Sequence, residues 1–244
     1  HILDSFPSLR AVLVEKPLGI SLEDSQAFVD YCKSRGILVQ VNLWRRTDQF
    51  FNLLAKGELR QLLGRIQAAN VVYGNGVQNN GIHMVDFARM MFGEVRYIQR
   101  LTQGQLEGPI PGDLNPSFVL YPDKRQPIVF QPLSFKSYRE NGMTVWGDSG
   151  KLSILNEGLV IEYSPVCDNR AMTGEKEVPS DKPQICQTTV GNSLFCMYSN
   201  LASALDVGNP LILQSPADSA LRSSHVISTL LKLPCNGSRH QMLW

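Results

Sequence analysis

The sequence predicts an α/β unit followed by an α+β domain: a partial parallel unit comes first, then a mostly antiparallel open sheet with helices on one face. A strand, a helix and a second strand follow one another within the first 44 residues, which is the order of a parallel β-α-β unit. From Val95 onward, short strands separated by turn residues indicate an antiparallel meander. Two helical segments close the chain.

The parallel unit is predicted from apolar runs and helix caps. Residues 10–16 are predicted to form a buried parallel strand, because residues 11–14 form a continuous apolar run. Ser21 is placed as an N-cap with Asp24 three residues later, and Gly36 ends the helix. Residues 37–44 supply the second parallel strand.

The second region is predicted to begin after this strand, which gives domains of 1–44 and 45–244. Asp48 caps a helix that ends near Gly57, and residues 82–91 form another helix that stops at Gly93. Further strands are predicted at 64–73, 95–103, 116–121, 127–135, 143–147, 151–155 and 158–163. A long loop at 166–191 precedes the closing helices at 192–206 and 216–232.

Composition limits the classes of partner. The net charge is +1 with no basic stripe, which argues against a nucleic-acid partner. No apolar run reaches the roughly 18 residues of a membrane span, so no membrane partner is expected. Five cysteines, none in a C-x-x-C pair or at zinc spacing to a histidine, predict a reducing cytoplasmic location and no metal site.

Two segments carry side chains suited to chemistry. Residues 12–19 run from an apolar strand into Lys16-Pro17, and a lysine at the carboxyl end of such a strand points into the ligand crevice of an α/β sheet. Residues 76–86 bring His83 to the start of a helix. Dehydrogenation of an alcohol needs a hydride acceptor, a base for the hydroxyl proton and a group that stabilises the alkoxide. Lys16 and His83 could meet the last two needs. Either one alone is more often a solvated turn lysine or a structural histidine, whereas the pair in this order is more specific.

These segments resemble the motifs of the Gfo/Idh/MocA oxidoreductases, a family of sugar and polyol dehydrogenases. Glu15-Lys16-Pro17 resembles the E-K-P motif, and Gly81-Ile82-His83-Met84-Val85-Asp86 resembles the G-x-H-x-x-D helix. Gly147-Asp148-Ser149-Gly150 resembles the G-x-x-G turn of the open sheet. The resemblance implies a partial Rossmann-like unit, with NAD or NADP as cofactor.

The resemblance also implies site residues. Lys16 and His83 are the expected catalytic pair, with Asn79 expected to orient the His83 ring. Expected cofactor contacts are Glu15, Lys16, Pro17, Asn42 and Arg45. Expected substrate contacts are Lys16, Arg45, Arg46, Asn80 and His83. The expected partners are a sugar or nucleotide-sugar substrate and a second subunit, in a homodimer or homotetramer formed through the antiparallel sheet.

For several residues the sequence leaves two possible roles open. Arg45 and Arg46 could hold a substrate hydroxyl or phosphate, or form interdomain ion pairs. Trp44 could stack on substrate or pack between domains. Asp86 could contact substrate or stabilise its own helix, and we favour the structural role.

The sequence departs from the family pattern in two places. The family usually has aspartate four residues before the histidine, where this chain has Asn79; an amide can orient a neutral ring but supplies no counter-charge. The segment Asn79-Asn80-Gly81 resembles the corresponding segment of relatives that are encoded with bacterial surface-polysaccharide genes. No G-x-G-x-x-G occurs, and residues 1–6 read as the inside of a helix.

We therefore expect a fragment without its phosphate-binding glycine turn, which alone would be inactive. The alternative is a non-catalytic relative that acts as a binding, regulatory or assembly module. The Asn79 substitution and the absent glycine turn both favour that alternative.

Overall fold

The computed structural model describes residues 2–123, 125–235 and 237–243. His1, part of the predicted leading helix, lies outside them. The α-helices are α1 Leu22–Ser34, α2 Gln49–Leu53, α3 Leu59–Leu63, α4 Ile82–Phe92, α5 Ser193–Val207 and α6 Ala217–Lys232. Short helical turns lie at Ile2–Ser5, Trp44–Thr47, Leu54–Glu58, Val77–Gly81, Asn156–Gly158, Val190–Asn192 and Pro210–Ile212.

Fifteen strands are present in the described residues. They are β1 Ala11–Val14, β2 Leu38–Val41, β3 Ile66–Tyr73, β4 Val95–Arg100, β5 Gln105–Leu106, β6 Leu114–Asn115, β7 Phe118–Pro122, β8 Ile128–Pro132, β9 Gly142–Gly147, β10 Gly150–Leu155, β11 Val160–Pro165, β12 Cys167–Asp168, β13 Lys176–Glu177, β14 Gln184–Cys186 and β15 His240–Gln241. None of the described helices is long and apolar enough to cross a lipid bilayer.

The predicted parallel unit is present. β1 and β2 pair in parallel, with Val12 opposite Val39. The Ser21 hydroxyl accepts a hydrogen bond from the Asp24 amide at 3.0 Å, which satisfies one of the free N–H groups at the start of α1. The sequence therefore placed both the strand pair and the cap of its connecting helix correctly.

The core of the parallel unit draws on the far end of the chain. Val39 and Val41 of β2 pack with Val29 of α1 and with Ala220 and Leu221 of α6. Each valine or leucine side chain in this core contributes about 1.5–3 kcal/mol when fully buried. Because α6 completes this core, the carboxyl-terminal region is bound tightly to the parallel pair, and the division into domains 1–44 and 45–244 stays a prediction.

The larger sheet has nine strands in the order β14-β11-β10-β9-β3-β8-β7-β4-β15. All neighbours are antiparallel except β3 and β8, which run parallel. Its main core includes Tyr73, Phe118 and Phe130, which are 0% exposed, and the last two rings stack at 4.4 Å. The mixed α/β architecture predicted from the sequence is confirmed.

The helical path breaks at Gly57, where the helix that begins at Asp48 was expected to end. The chain then resumes as helix α3, which the sequence did not predict. Gly57 has a φ of 132°, a conformation that other residues rarely adopt. Leu59 and Leu63 are 3% and 0% exposed, so burial of their side chains favours a resumed helix. The predicted loop at 166–191 also contains the three short strands β12, β13 and β14.

Candidate functional site

The turn before α4 is held by a buried carboxylate. Asp113, which is 1% exposed, accepts hydrogen bonds from the backbone amides of Gln78 at 3.0 Å and Asn79 at 2.9 Å. Gly76, with a φ of 90°, leaves room for it: a Cβ there would lie 2.0 Å from an Asp113 carboxylate oxygen. The negative charge faces a helix start, where the backbone dipoles favour an anion. Asp113 therefore fixes the position of Asn79.

Lys16 reaches this turn from the carboxyl end of β1. Its ammonium donates to the Asn79 backbone oxygen at 2.5 Å and to the Asn79 side-chain oxygen at 3.1 Å. Burial lowers the pKa of Lys16, and the negative charges of Glu15 and Asp113 partly oppose that shift. The lysine is thus hydrogen-bonded to two uncharged oxygens of Asn79, which precedes His83 by four residues.

His83 is half-buried at the first turn of α4. Burial holds its pKa well below the usual value, and the positive charges of Arg45, Lys16 and Arg139 lower it further. Its ring centre lies 6.2 Å from that of Trp44. The imidazole is therefore neutral near pH 7 and able to accept a proton. The structure brings Lys16 and Asn79 into contact, four residues before His83. The described hydrogen bonds of the Asn79 side chain go to Lys16 and Asn75, and not to His83 as predicted.

Arg45 forms one wall beside this histidine. One of its terminal nitrogens donates to the Glu157 carboxylate at 2.8 Å and to the Glu157 backbone oxygen at 3.1 Å. Its guanidinium lies 4.0 Å from the Trp44 ring centre, a cation–π contact. Its Nε and Nη1 atoms are buried without a hydrogen-bond partner among the described residues. Arg45 thus forms an ion pair and keeps unused donors, and its role as a cofactor or substrate contact stays a prediction.

Glu157 joins two arginines at this wall. Its carboxylate also accepts from Arg139 at 2.9 Å and from the Asn141 side chain at 2.6 Å. Glu157 has a φ of 63°, an uncommon conformation for a residue with a side chain. The two guanidinium groups hold the pKa of this carboxyl below its usual range although burial opposes them.

Arg46 points into a different network. It donates to both Asp86 oxygens, at 2.7 and 2.9 Å. Asp86 also accepts from Arg89 at 3.3 Å and from the Ser223 hydroxyl at 2.9 Å. This buried cluster ties the turn after β2 to α4 and α6, in agreement with the structural reading of Asp86. Arg46 as a substrate contact stays a prediction.

The remaining predicted site residues lie at the ends of the two parallel strands, except Asn80, which lies in the turn before α4. The Asn42 side-chain amide donates to Glu15 at 2.8 Å, which joins the carboxyl ends of β1 and β2. Pro17 follows Lys16 through a cis peptide bond. Asn80 is 7% exposed, and its side-chain nitrogen has no partner among the described residues. Glu15, Pro17 and Asn42 therefore share one edge with Lys16.

Sequence reasoning missed Asp113, Arg139 and Glu157. Each lies in a connecting segment with no motif of its own, far along the chain from Lys16 and His83. The one available signal was the turn Asn156-Glu157-Gly158, where an acidic residue occupies a position that favours asparagine or glycine. Their contribution depends on the tertiary fold.

Comparison with known proteins gives a weak sequence match and strong structural matches. No family model matches the chain. A rabbit (Oryctolagus cuniculus) trans-1,2-dihydrobenzene-1,2-diol dehydrogenase is 31% identical over 102 residues, which cover 34% of this chain and 30% of that relative. The match thus spans under a third of the relative's length.

Two solved structures cover nearly the whole chain. One is a super-repressor mutant of Gal80p from Saccharomyces cerevisiae, with a TM-score of 0.74, 12% identity, and coverage of 96% of this chain and 73% of that one. The other is an inositol dehydrogenase homolog from Azotobacter vinelandii in complex with NADH and myo-inositol, with a TM-score of 0.72, 12% identity, and coverage of 95% and 72%. The chain has the fold of the Gfo/Idh/MocA-type oxidoreductases, as the motifs predicted.

Proposed function

We propose that the chain belongs to an NAD(P)-dependent oxidoreductase that acts on a hydroxyl group of a sugar or sugar derivative. The observation that carries the proposal is the bond from the Lys16 ammonium to Asn79, one helical turn before His83. It supports a lysine and a histidine acting on one substrate oxygen. The likeness to a polyol dehydrogenase homolog with bound NADH supports the same chemistry.

The strand ends fit the nicotinamide end of a dinucleotide. Glu15, Lys16, Pro17 and Asn42 lie at the carboxyl edge of β1 and β2, where α/β sheets bind such ligands. The side-chain oxygen of Asn42 is buried and has no partner among the described residues, so an acceptor remains for a donor group on a ligand. When bound, the nicotinamide supplies the hydride acceptor. The glycine turn that cradles the pyrophosphate is not found in these 244 residues.

Lys16 and His83 have complementary roles in this proposal. The Lys16 ammonium would stabilise the negative charge that develops on the substrate oxygen. The neutral His83 imidazole would accept the hydroxyl proton during oxidation and return it during reduction. Asn79 fixes the lysine through two oxygens, and Asp113 fixes Asn79 through the backbone. Each group acts through a contact that substitution can remove.

Turnover of a substrate panel tests the proposal. The protein expressed from its complete gene is incubated with NAD⁺ or NADP⁺ and a panel of polyols, aldoses and sugar acids, and formation of reduced nicotinamide is measured. We expect Lys16→Ala to lower kcat by about 10²-fold or more, since an electrostatic contact made in the transition state is lost. The matched control is Lys33→Ala, which removes an exposed lysine paired with Asp218. Equal turnover in both variants would rule out the assignment of Lys16.

A non-catalytic relative is the second candidate. Asn79 cannot supply the counter-charge that an aspartate gives to a protonated imidazole, and the fold is shared with a Gal80p super-repressor mutant. In that case the protein would bind dinucleotide or sugar without turnover. A measured dissociation constant for NADH together with no hydride transfer from any substrate of the panel would favour this candidate over the enzyme.

The open sheet is the proposed subunit interface. Trp146 on β9 and Val160 on β11 are 36% and 37% exposed and lie on the same face of the sheet. Exposed apolar side chains on one face of a sheet are typical of interaction surfaces. We propose a homodimer or homotetramer formed through this face, in a cytoplasmic protein. Light scattering after gel filtration tests it, with Trp146→Lys expected to yield monomers.

A further inference from the structure

The charges around His83 are unbalanced. Lys16 donates to two neutral oxygens of Asn79. Arg45 and Arg139 share a single carboxylate, that of Glu157. Two of these three cations contact a carboxylate, and both contact the same one, so the direct contacts leave a surplus of two positive charges at this wall.

Two other carboxylates act on Lys16, but each has partners of its own. Glu15 accepts from the Asn42 side chain at 2.8 Å. Asp113 is occupied by backbone amides, including that of Asn79 at 2.9 Å. Both raise the pKa of Lys16 without bonding to it in the described structure. The charges that act on the pKa of His83 are the cations Arg45, Lys16 and Arg139. A ligand with negative charge is therefore favoured beside the imidazole.

Arg45 also has unused hydrogen-bonding capacity. Its side chain is 4% exposed, yet Nε and Nη1 have no partner among the described residues. Buried donors in native proteins are nearly always paired, and this pair therefore needs an acceptor that the described residues do not supply. The guanidinium lies against the Trp44 ring, which itself lies beside His83. The free donors are thus within the same wall as the imidazole.

Arg139 differs from Arg45 in exposure. Its side chain is 65% exposed, while its Nε remains bonded to Glu157. Its other guanidinium nitrogens are therefore open to an incoming anion. A planar carboxylate matches a guanidinium better than any neutral sugar hydroxyl does, because two parallel N–H···O bonds can form and the charges attract.

We propose that the surface beside His83 binds a carboxylate of the substrate through Arg139 and Arg45, so that the substrate is a sugar acid rather than a neutral polyol. The assignment rests on the proposed oxidoreductase function and names its substrate class. The substrate carboxylate also supplies the negative charge that Asn79 lacks. Binding should then raise the pKa of His83, which makes the imidazole a stronger base only when substrate is present.

Binding of matched probes tests the assignment. D-glucuronate, its uncharged methyl ester, myo-inositol and inorganic phosphate are titrated into the protein at constant ionic strength. The His83 ring signals are followed by NMR and assigned with His83→Gln. We expect D-glucuronate to bind about tenfold or more tightly than its methyl ester, and to raise the pKa of His83.

Two variants locate the effect. Arg139→Gln should abolish the preference for the acid over the ester. Arg65→Gln is the control, because Arg65 is also an exposed arginine paired with one carboxylate, that of Asp148, and should keep the preference. If the Arg139→Gln variant prefers the acid over the ester as strongly as the unsubstituted protein does, the assignment is overturned. Phosphate that binds as tightly as D-glucuronate with the same dependence on Arg139 would show a general oxyanion site and would also overturn it.

A failure of the sugar-acid assignment can be distinguished from a failure of the proposed oxidoreductase function. Reduction of NAD⁺ or NADP⁺ by myo-inositol, with no binding of D-glucuronate, would refute the acid assignment and leave the oxidoreductase intact. D-glucuronate that binds through Arg139 without any hydride transfer from the substrate panel would support the carboxylate site and count against the oxidoreductase.

Discussion

Removal of the Asp86 carboxylate should destabilise the protein strongly. Asp86 is 2% exposed and accepts two bonds from Arg46, one from Arg89 and one from Ser223. In Asp86→Asn, the new side-chain amide nitrogen cannot accept a hydrogen bond from the guanidinium that faces it. The buried positive charge of that guanidinium therefore loses its negative partner. Breaking one side of a buried ion pair costs about 3–5 kcal/mol.

The structure places the expected loss at the lower end of that range. Arg89 keeps its bonds to Glu94 at 2.8 and 2.9 Å. Arg46 loses the only side-chain partner described for it, but it is 15% exposed and gains some water contact. We therefore expect a loss of about 3 kcal/mol in the free energy of unfolding.

Urea unfolding measures this loss. With an m-value of about 3 kcal/mol/M, the unfolding midpoint should fall by about 1 M. The control is Asp218→Asn, which breaks the exposed pair with Lys33 and should cost about 1 kcal/mol or less. A loss below about 1 kcal/mol in Asp86→Asn would refute the view that this cluster fixes the turn after β2 against α4 and α6.

Two further predictions concern the turn before α4. Gly76→Ala should cost about 3 kcal/mol in urea unfolding, because a left-handed alanine costs about 1–2 kcal/mol and the displaced Asp113 loses hydrogen bonds of about 1 kcal/mol each. Gly112→Ala, at a φ of 78° with nothing within 4 Å, should cost only the conformational part, and equal losses would count against the contact. The second prediction concerns pH, because the pKa of His83 is lower in the folded protein than in the unfolded chain. As the pH falls below about 6.5, the unfolded chain therefore binds a proton before the folded protein does. The free energy of unfolding should decrease by about 1.4 kcal/mol per pH unit until the pKa of the folded protein is reached. The His83→Gln variant should lose this dependence of stability on pH, whereas the His240→Gln variant should keep it. Identical stability profiles for the two variants would show that the pKa of His83 is not depressed in the folded protein.

Much of the fold was predictable because local signals agreed with the tertiary arrangement. Asp48 accepts from the Phe51 amide at 2.9 Å, as its position before an apolar helix predicted. The resumption of helix after Gly57 was not predictable locally, since a glycine there reads as a stop. Burial of Leu59 and Leu63 decides that region, and burial depends on contacts far along the chain.

The site divides in the same way. Lys16 and His83 could be identified because each belongs to a strand end or helix start with a recognisable motif. Asp113 and Glu157 could not, because their roles come from loops that the large sheet delivers to the site. The charge surplus beside His83 was likewise hidden, since the pairing of Arg45 and Arg139 with one carboxylate appears only in the folded chain.

The most direct test of the central claim is the pKa of His83 in the Lys16→Met variant, measured by NMR titration beside the unsubstituted protein. Because the Lys16 ammonium lowers the pKa of His83, its removal should raise that pKa, while Lys33→Met should leave it unchanged. A His83 pKa that is the same with and without the Lys16 charge would show that the two side chains are too far apart to act on one substrate oxygen, and would contradict the proposed chemistry.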